Sequence, residues 1–333
     1  MVRTYSYCLL MIVFLILEGC QEDDVFLPDI QEIVENNDEY EWRRKQNAWI
    51  FTQMRNNYLW ADDLKDSLEY DYALEPSAFF ESMILPEDRF SYCTRYDGYR
   101  FQKKSTHLNA TVLLDTIYFL NNRHIGYFVY DEFVSDADIT DVVIKFKSRG
   151  VDELVVDLRE NPGGLLSTCK YLASLILPVE HLGSLFCSCR YNRYLTQELI
   201  RTTGSPYEFI YFNSDNLTRK RNLNLERVFF LVNRRSASCS ELLINSLRPY
   251  MQTVLIGETT IGKDVGMKAC YGSKYMYQLM PVTFRAYNAS GDSIATTGIV
   301  PDIYEETISD IALGNIEEPL LKRALDCIKV AGK

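Results

Sequence analysis

The chain has 333 residues, of which 47% are hydrophobic and 24% charged, as in an ordinary globular protein of one large or two smaller domains. Its formal net charge of −11 excludes nucleic acid and anionic membrane surfaces as favourable partners, because both repel an acidic protein. The nine cysteines show no spacing typical of a metal site or of a disulfide framework.

The first twenty residues are typical of a targeting segment. Arg3 supplies a positive start, and Leu9–Leu17 is an apolar run too short to span a membrane. Leu17-Glu18-Gly19-Cys20 resembles a bacterial lipobox, although Glu18 is unusual there. We therefore expect a signal peptide over residues 1–19, a lipid on Cys20 and anchoring in the bacterial cell envelope at the outer membrane, with an uncleaved membrane anchor as the alternative. The acidic run from Gln21 to Asp24 is typical of surface-exported lipoproteins or of a plain linker.

An acidic linker over 20–45 and a small helical domain over 46–100 follow. Asn47–Leu59 has apolar residues at helical spacing, and Pro76 suits the first turn of a helix that starts at Glu75. Residues 101–333 are expected to form a second, larger domain.

That second domain alternates strands and helices, which predicts an α/β fold. The predicted strands are Thr111–Leu120, His124–Tyr130, Glu153–Leu158, Ser184–Tyr191, Arg227–Val232, Val254–Ile256, Tyr275–Leu279 and Val282–Tyr287. Helices are predicted around Ile139–Phe146, over Leu165–Leu177, over Glu241–Leu247 and over Pro319–Val330. The stretch Asn192–Asn224 is expected to be a long excursion without assigned elements.

A serine and a lysine in this domain stand where they suit nucleophilic catalysis. Ser238 lies at a predicted helix start, where unpaired N–H groups stabilise a developing oxyanion, and Lys263 lies in a loop one strand later. A lysine that burial keeps neutral can take the proton of such a serine. Taken alone, Ser238 and Glu241 favour an ordinary capping box, in which each side chain satisfies an N–H at the helix start.

Three motifs resemble those of the tail-specific proteases, also called C-terminal processing peptidases. They are Ser-Ala-Ser-Cys-Ser-Glu (236–241), Gly-Glu-Thr-Thr-Ile-Gly-Lys (257–263) and Asp-Leu-Arg-Glu-Asn-Pro-Gly-Gly (157–164). Gly298-Ile299-Val300-Pro301-Asp302 resembles the closing motif of the same family.

The resemblance implies a mixed-sheet catalytic core of the tail-specific protease, crotonase-like type, with flanking helices. It implies Ser238 as nucleophile, Lys263 as general base, and oxyanion donors from the Cys239 N–H and from Gly163 or Gly164, which the sequence does not separate. Such an enzyme hydrolyses unfolded or terminal protein segments through an acyl-enzyme and needs no metal or organic cofactor. Cys239 as the nucleophile is a minor alternative, and a Ser-His-Asp triad has little support because the three histidines are scattered.

The sequence departs from the family pattern in two places. Only some thirty residues separate Ser91 from the strand near Ile125, which is too few for the PDZ domain that many members carry there. Met267 stands where several members place a glutamine that holds the lysine, and a thioether is a poor hydrogen-bonding group. A non-catalytic ligand- or peptide-binding lipoprotein on the same fold is therefore the alternative function, and a purely structural surface lipoprotein is a third.

Overall fold

The computed structural model describes residues 38–95, 111–307 and 310–330. The described chain divides into two compact units. Unit 1 holds the described residues up to 95 together with 191–206 and 267–284, and unit 2 holds the described residues of 111–190, 207–266 and 285–330. The expected signal peptide, Cys20 and His107 lie outside the described residues.

Helices occur in both units, with these bounds: α1 Asp38–Asn57, α2 Pro76–Ser82, α3 Asp136–Ser148, α4 Leu166–Ile176, α5 Arg193–Thr203, α6 Asn216–Arg221, α7 Cys239–Leu247 and α8 Pro319–Val330. The strands are β1 Tyr92–Arg95, β2 Val112–Leu120, β3 Arg123–Tyr130, β4 Glu153–Asp157, β5 Leu185–Tyr191, β6 Glu208–Tyr211, β7 Arg227–Val232, β8 Gln252–Gly257, β9 Val265–Met267, β10 Cys270–Gly272, β11 Tyr277–Met280, β12 Val282–Tyr287 and β13 Ile303–Tyr304. Within the described ranges, no helix combines the length and apolarity needed to cross a membrane.

Unit 1 combines helices with a three-stranded antiparallel sheet in the order β1-β11-β10. Ile50 and Met54 on α1 are fully buried, as the helical spacing of the sequence predicts. The ring of Trp49 lies so close to Gly272 on β10 that a β-carbon there would be 2.8 Å from it. The small helical domain of the sequence is thus completed by strands that come from residues 267–284.

Helix α1 begins at Asp38, inside the stretch expected to be a linker. Its acidic first residues suit the positive end of a helix, and Glu39 forms an ion pair with Arg43 one turn later. Trp42 also packs against Tyr275, with ring centroids 5.6 Å apart. Both contacts favour an earlier helix start than the apolar spacing alone indicates.

Unit 2 is built around a six-stranded sheet in the order β13-β8-β7-β4-β3-β2. All neighbouring pairs are parallel except the hairpin of β2 and β3, so the sheet is mixed. The predicted hairpin and the predicted α/β class are therefore confirmed.

Helices cover both faces of this sheet. On one face the apolar residues of α8, among them Leu320, Leu321 and Ile328, pack against side chains of β3, β4, β7 and β8. On the other face Phe146 of α3 lies against Phe128 and so close to Gly126 that a β-carbon there would clash with it. The strands are hydrophobic on both faces because both faces are covered.

The short connection before β2 leaves little room for a PDZ domain. β1 ends at Arg95 and β2 begins at Val112, so only residues 96–111 are left between them, of which 96–110 lie outside the described residues. A domain has typically at least about 50 residues. This supports the prediction that no complete PDZ domain lies between the helical region and the core.

Candidate active site

The candidate site lies at one edge of the six-stranded sheet. β4, β7 and β8 are parallel neighbours, so the loops that follow them leave the sheet on the same side. In open α/β sheets this carboxyl edge is where ligands bind. The loop after β4 carries Gly163 and Gly164, the loop after β7 carries Ser238, and the loop after β8 carries Lys263.

Ser238 has a backbone conformation that non-glycine residues rarely adopt. Its φ is 55° and its ψ is −114°, and it stands directly before the first residue of α7. Strain of this kind costs of order 1–3 kcal/mol and persists only where the surroundings hold the residue. Here the Ser238 N–H donates to the Glu241 carboxylate at 3.0 Å, and the Ser238 carbonyl accepts from the Leu242 N–H at 2.8 Å.

The two serines on either side of Ser238 have other partners. Ser236 donates its hydroxyl to the Leu158 carbonyl at 2.9 Å, and Ser240 donates to the Asn161 carbonyl at 3.0 Å. Both are fully buried, whereas Ser238 is partly exposed. Ser236 and Ser240 fasten the loop after β7 to the loop after β4, and Ser238 alone of the three is reachable from solvent.

Glu241 connects the serine loop with the lysine loop. Its carboxylate is fully buried and accepts four hydrogen bonds. One oxygen accepts the N–H groups of Ser238 and Lys263 at 3.0 and 2.8 Å, and the other accepts the Gly262 N–H at 2.7 Å and the Thr260 hydroxyl. The sequence suggested only a helix cap for Glu241, because nothing in the local pattern shows that residues 260–263 return to it.

The segment of Lys263 has a second attachment on its other side. Asp264 is nearly buried, forms an ion pair with Arg285 at 2.6 Å, and its carbonyl accepts from the Ala286 N–H. Lys263 itself is partly buried. The backbone around Lys263 is thus held through Glu241 and Asp264. The family pattern instead has a glutamine at the position of Met267, which is the last residue of β9.

Asn161 sets the shape of the glycine loop. Its buried side chain donates to the Tyr130 carbonyl at 2.9 Å and accepts from the Gly163 N–H at 2.9 Å. Its carbonyl accepts from the Ala237 N–H at 3.2 Å. The loop after β4 is thereby tied to the residues just before Ser238.

Gly163 and Gly164 differ in where their N–H groups point. The Gly163 N–H is bonded to Asn161, whereas the Gly163 carbonyl accepts from the Phe133 N–H at 2.8 Å. In a trans peptide the carbonyl of one residue and the N–H of the next point in opposite directions, so the Gly164 N–H points away from Phe133. The Leu165 N–H donates to the Phe133 carbonyl, so the Gly164 carbonyl also points away from Phe133, and it accepts from the Cys239 thiol at 3.1 Å.

Close packing requires glycine at position 163. A β-carbon there would lie 2.7 Å from the Ser238 β-carbon and 2.8 Å from the Cys239 nitrogen. Gly163 also has a φ of +107°, which side-chain-bearing residues rarely adopt. The glycine loop, Ser238 and the first N–H of α7 are consequently in direct contact.

A buried charge network lies beneath the glycine loop. Arg159 forms ion pairs with Asp157 at 2.6 Å and with Glu318 at 2.7 Å, and the Tyr127 hydroxyl donates to Asp157 at 2.9 Å. Burial raises the pKa of the Tyr127 phenol above its ordinary value, so this hydroxyl stays a donor. Glu318 in turn accepts from the Leu321 N–H in the first turn of α8.

The described histidines pack against aromatic rings. His124 lies 4.9 Å from the Phe119 ring and His181 lies 5.0 Å from the Tyr250 ring. Within the described ranges no group of three or more His, Cys, Asp or Glu side chains is placed to hold a metal ion.

Comparisons with known proteins agree with this fold. The family model described as peptidase family S41 matches residues 124–305, and the model described as the peptidase S41 N-terminal domain matches residues 45–92. A crystal structure from Bacteroides fragilis assigned to the S41 proteases superimposes with a TM-score of 0.73, covers 90% of this chain and 99% of its own, and is 21% identical. At that identity the likeness shows the fold, and the expected mixed-sheet core with a preceding helical region is confirmed.

Two curated relatives match part of the chain. A carboxyl-terminal-processing protease of Picosynechococcus sp. is 27% identical over 218 residues, which are 62% of this chain and 46% of that protein. A tail-specific protease of Haemophilus influenzae is 24% identical over 181 residues, which are 52% of this chain and 23% of that protein. The chain thus spans less than half the length of either relative.

Proposed function

Because this chain belongs to peptidase family S41, we propose that it is a serine endopeptidase in which Ser238 is the nucleophile and Lys263 the general base. The observation that carries this proposal is the attachment of both loops to one buried carboxylate. Glu241 binds the Ser238 N–H and the Lys263 N–H with the same oxygen, which keeps the two backbones at a fixed spacing.

In the proposed reaction the Ser238 hydroxyl oxygen attacks the carbonyl carbon of the scissile peptide bond. Lys263, as the free amine, takes the hydroxyl proton and then gives it to the leaving amine as the C–N bond breaks. The product of this step is an ester between Ser238 and the acyl part of the substrate. Water then attacks the ester carbon, and Lys263 takes a proton from the water and gives it to the Ser238 oxygen as the ester C–O bond breaks. The acyl part leaves as a carboxylic acid, and the Ser238 hydroxyl is restored.

The oxyanion formed in each half of the reaction is stabilised by two backbone N–H groups. The Cys239 N–H belongs to the first turn of α7, where N–H groups lack helical partners. The Gly164 N–H points to the side of the loop on which Cys239 lies, whereas the Gly163 N–H is already bonded to Asn161. We therefore assign the second donor to Gly164. This chemistry needs no metal or organic cofactor.

The substrate is an unfolded or terminal segment of a protein, bound in an extended conformation. Without a complete PDZ domain before β2, the peptide is held mainly by backbone hydrogen bonds in the cleft. Apolar side chains are exposed on the segments that border the site, among them Val134 beside Phe133 and Leu165 beside Gly164. We therefore expect broad cleavage with a preference for small or apolar residues near the cut, and one required C-terminal motif would contradict this.

We also propose that the mature chain is a lipoprotein of the bacterial cell envelope that begins at Cys20. The support is the apolar run Leu9–Leu17 followed by Gly19-Cys20 in the sequence. Mass spectrometry of the mature N-terminus tests this, and an unmodified peptide that spans Gly19 and Cys20 would contradict it.

The peptidase proposal is tested by cleavage of fluorescein-labelled, reduced casein by the purified chain. Wild type should release peptides, and Ser238→Ala and Lys263→Arg should release none, because a guanidinium cannot act as the base. Ser240→Ala is the matched control, since it removes a neighbouring hydroxyl bonded to a carbonyl. Cleavage by Ser238→Ala at the wild-type rate would refute the assignment, and a wild type that binds casein without cleaving it would favour the binding-protein function.

A further inference from the structure

Two buried thiols stand next to the proposed oxyanion site, and the reaction described above uses neither sulfur. Cys239 is 5% exposed, and its Sγ donates to the Gly164 carbonyl at 3.1 Å. Cys169 on α4 is fully buried, and its Sγ donates to the Cys239 carbonyl at 3.2 Å. The two bonds form a chain from α4 through Cys239 to the glycine loop.

We propose that the Cys239 thiol is a positioning residue that sets the distance between the two oxyanion donors, with Cys169 holding Cys239 in place. This inference rests on the proposed peptidase function. One donor is the N–H of Cys239 itself and the other is the N–H of Gly164. The Cys239 thiol binds the carbonyl of that same glycine, so a single side chain fixes both donors relative to each other.

Phe133 bonds to the Gly163 carbonyl and the Leu165 N–H, so the N–H and carbonyl of Gly164 itself are left to face the other side of the loop. Gly164 lacks a side chain, and its φ of +136° lies in a region that only glycine adopts readily. A β-carbon there would lie 2.3 Å from the Phe133 carbonyl oxygen, so no larger residue can replace it. Phe133 binds one edge of the glycine loop through backbone hydrogen bonds. On the opposite edge, the Cys239 thiol donates a hydrogen bond to the Gly164 carbonyl.

The chemical state of the supporting thiol suits a donor and not a nucleophile. Burial, followed by the interaction with Cys239, raises the pKa of the Cys169 thiol well above its usual value. Cys169 therefore remains protonated at neutral and mildly alkaline pH and keeps its hydrogen bond to the Cys239 carbonyl. A protonated buried thiol is also inert toward substrate carbonyls and oxidants.

The effect of the thiol should fall on the transition state and not on substrate binding. Removal of an entire oxyanion donor typically costs 10²–10³-fold in kcat, and a donor that is only displaced costs less. We expect Cys239→Ala to lower kcat about tenfold with KM unchanged. Cys239→Ser retains a hydroxyl donor at the same position and should recover most of the loss.

The experiment measures kcat and KM on labelled, reduced casein and the affinity for a peptide boronic acid. A boronate forms a tetrahedral adduct with the serine and places an oxygen in the oxyanion site, so its affinity reports the donors without turnover. Cys239→Ala should bind it about tenfold more weakly than wild type. Cys187→Ala is the matched control, since it removes another fully buried thiol, on β5, that the mechanism does not use.

The outcomes separate this inference from the proposed function. If wild type cleaves casein and Cys239→Ala matches it in kcat and in boronate affinity, the positioning role is refuted and the peptidase stands. If wild type neither cleaves nor binds the boronate, the proposed function itself fails. If Cys239→Ala does not fold, Cys169→Ala is measured in its place. A decrease in kcat about threefold larger than that of Cys187→Ala supports the positioning role of the Cys239 thiol, and an equal decrease in the two variants overturns it.

Discussion

Replacement of Glu241 by glutamine should weaken both the fold and catalysis, although it changes only one atom. The carboxylate accepts hydrogen bonds from Ser238, Lys263, Gly262 and Thr260, two on each oxygen. A glutamine has one acceptor oxygen and an NH₂ group that donates. If the glutamine oxygen keeps the hydrogen bonds from the Ser238 and Lys263 N–H groups, the glutamine NH₂ faces the Gly262 N–H, which is also a donor. The Thr260 hydroxyl must then rotate to accept a hydrogen bond from the NH₂.

The magnitude follows from that count. The Gly262 N–H loses its hydrogen bond to residue 241, and the remaining bonds lose the charge of their acceptor. Hydrogen bonds to charged groups contribute about 1.5–3 kcal/mol each, so the free energy of unfolding should fall by about 2–4 kcal/mol for Glu241→Gln. Displacement of the lysine loop by a fraction of an ångström should lower kcat about 10- to 100-fold.

The assay combines urea unfolding with casein cleavage, and Glu258→Gln is the matched control. Glu258 follows β8 in the same segment, but its partners are the exposed Arg234 and the hydroxyl and N–H of Thr307. An ion pair of this kind contributes about 0–1 kcal/mol, so the control should change little. If Glu241→Gln loses no more stability and no more activity than Glu258→Gln, the view of Glu241 as the link between the loops is refuted.

Three further predictions concern residues around the site. Ser236→Ala and Ser240→Ala should each lower the free energy of unfolding by about 1 kcal/mol in urea titrations and retain most of the activity; loss of all cleavage in either would contradict their structural role. Gly163→Ala should abolish cleavage, because the new β-carbon would clash with Ser238. Gly150 also has a positive φ but has open space around it, so Gly150→Ala should only reduce stability. Equal activity of the two variants would contradict the packing argument. Arg159→Met should lower the free energy of unfolding by about 3–5 kcal/mol in the same titrations, since it leaves the buried carboxylates of Asp157 and Glu318 without their cation. A decrease below about 1 kcal/mol would show that the charge network is not needed for stability.

Much of the large domain could be predicted because its signals are local. Buried strands appear as short apolar runs, and α8 was predicted over the residues it occupies, Pro319–Val330. Parallel neighbours β4, β7 and β8 then carry their loops to one edge, so the three motifs meet there. The expected roles of Ser238, Lys263 and the glycines come from the resemblance to the family motifs, because the pattern of strands and helices does not assign them.

The stretch Asn192–Asn224, expected to be an excursion, contains α5, β6 and α6. The starts of its two helices are marked by single polar residues. Asn192 accepts from the Leu195 N–H at 2.8 Å, and Asp215 accepts from the Leu217 and Thr218 N–H groups at 3.0 Å. Both are helix caps of the usual residue types. No residue of α5 is fully buried, so this helix is not one of the core helices that the prediction sought, although Leu195 and Leu199 lie one turn apart on it.

The roles of Glu241 and of the two thiols could not be predicted, because their partners are distant in sequence. Glu241 meets the Lys263 N–H twenty-two residues later, and Cys239 meets the Gly164 carbonyl seventy-five residues earlier. Such contacts depend on how the loops after three strands fold back at the sheet edge. They become visible only when tertiary structure brings the loops together.

The most direct test of the account is labelling with a fluorophosphonate, followed by peptide mapping. An activated serine hydroxyl reacts with this reagent, whereas an ordinary one does not. The account predicts a single adduct, on Ser238, that is lost in Lys263→Ala while Ser240→Ala still reacts. A label on Ser236, Ser240 or Cys239, or a wild-type chain whose Ser238 stays unlabelled, would contradict the proposed nucleophile and base.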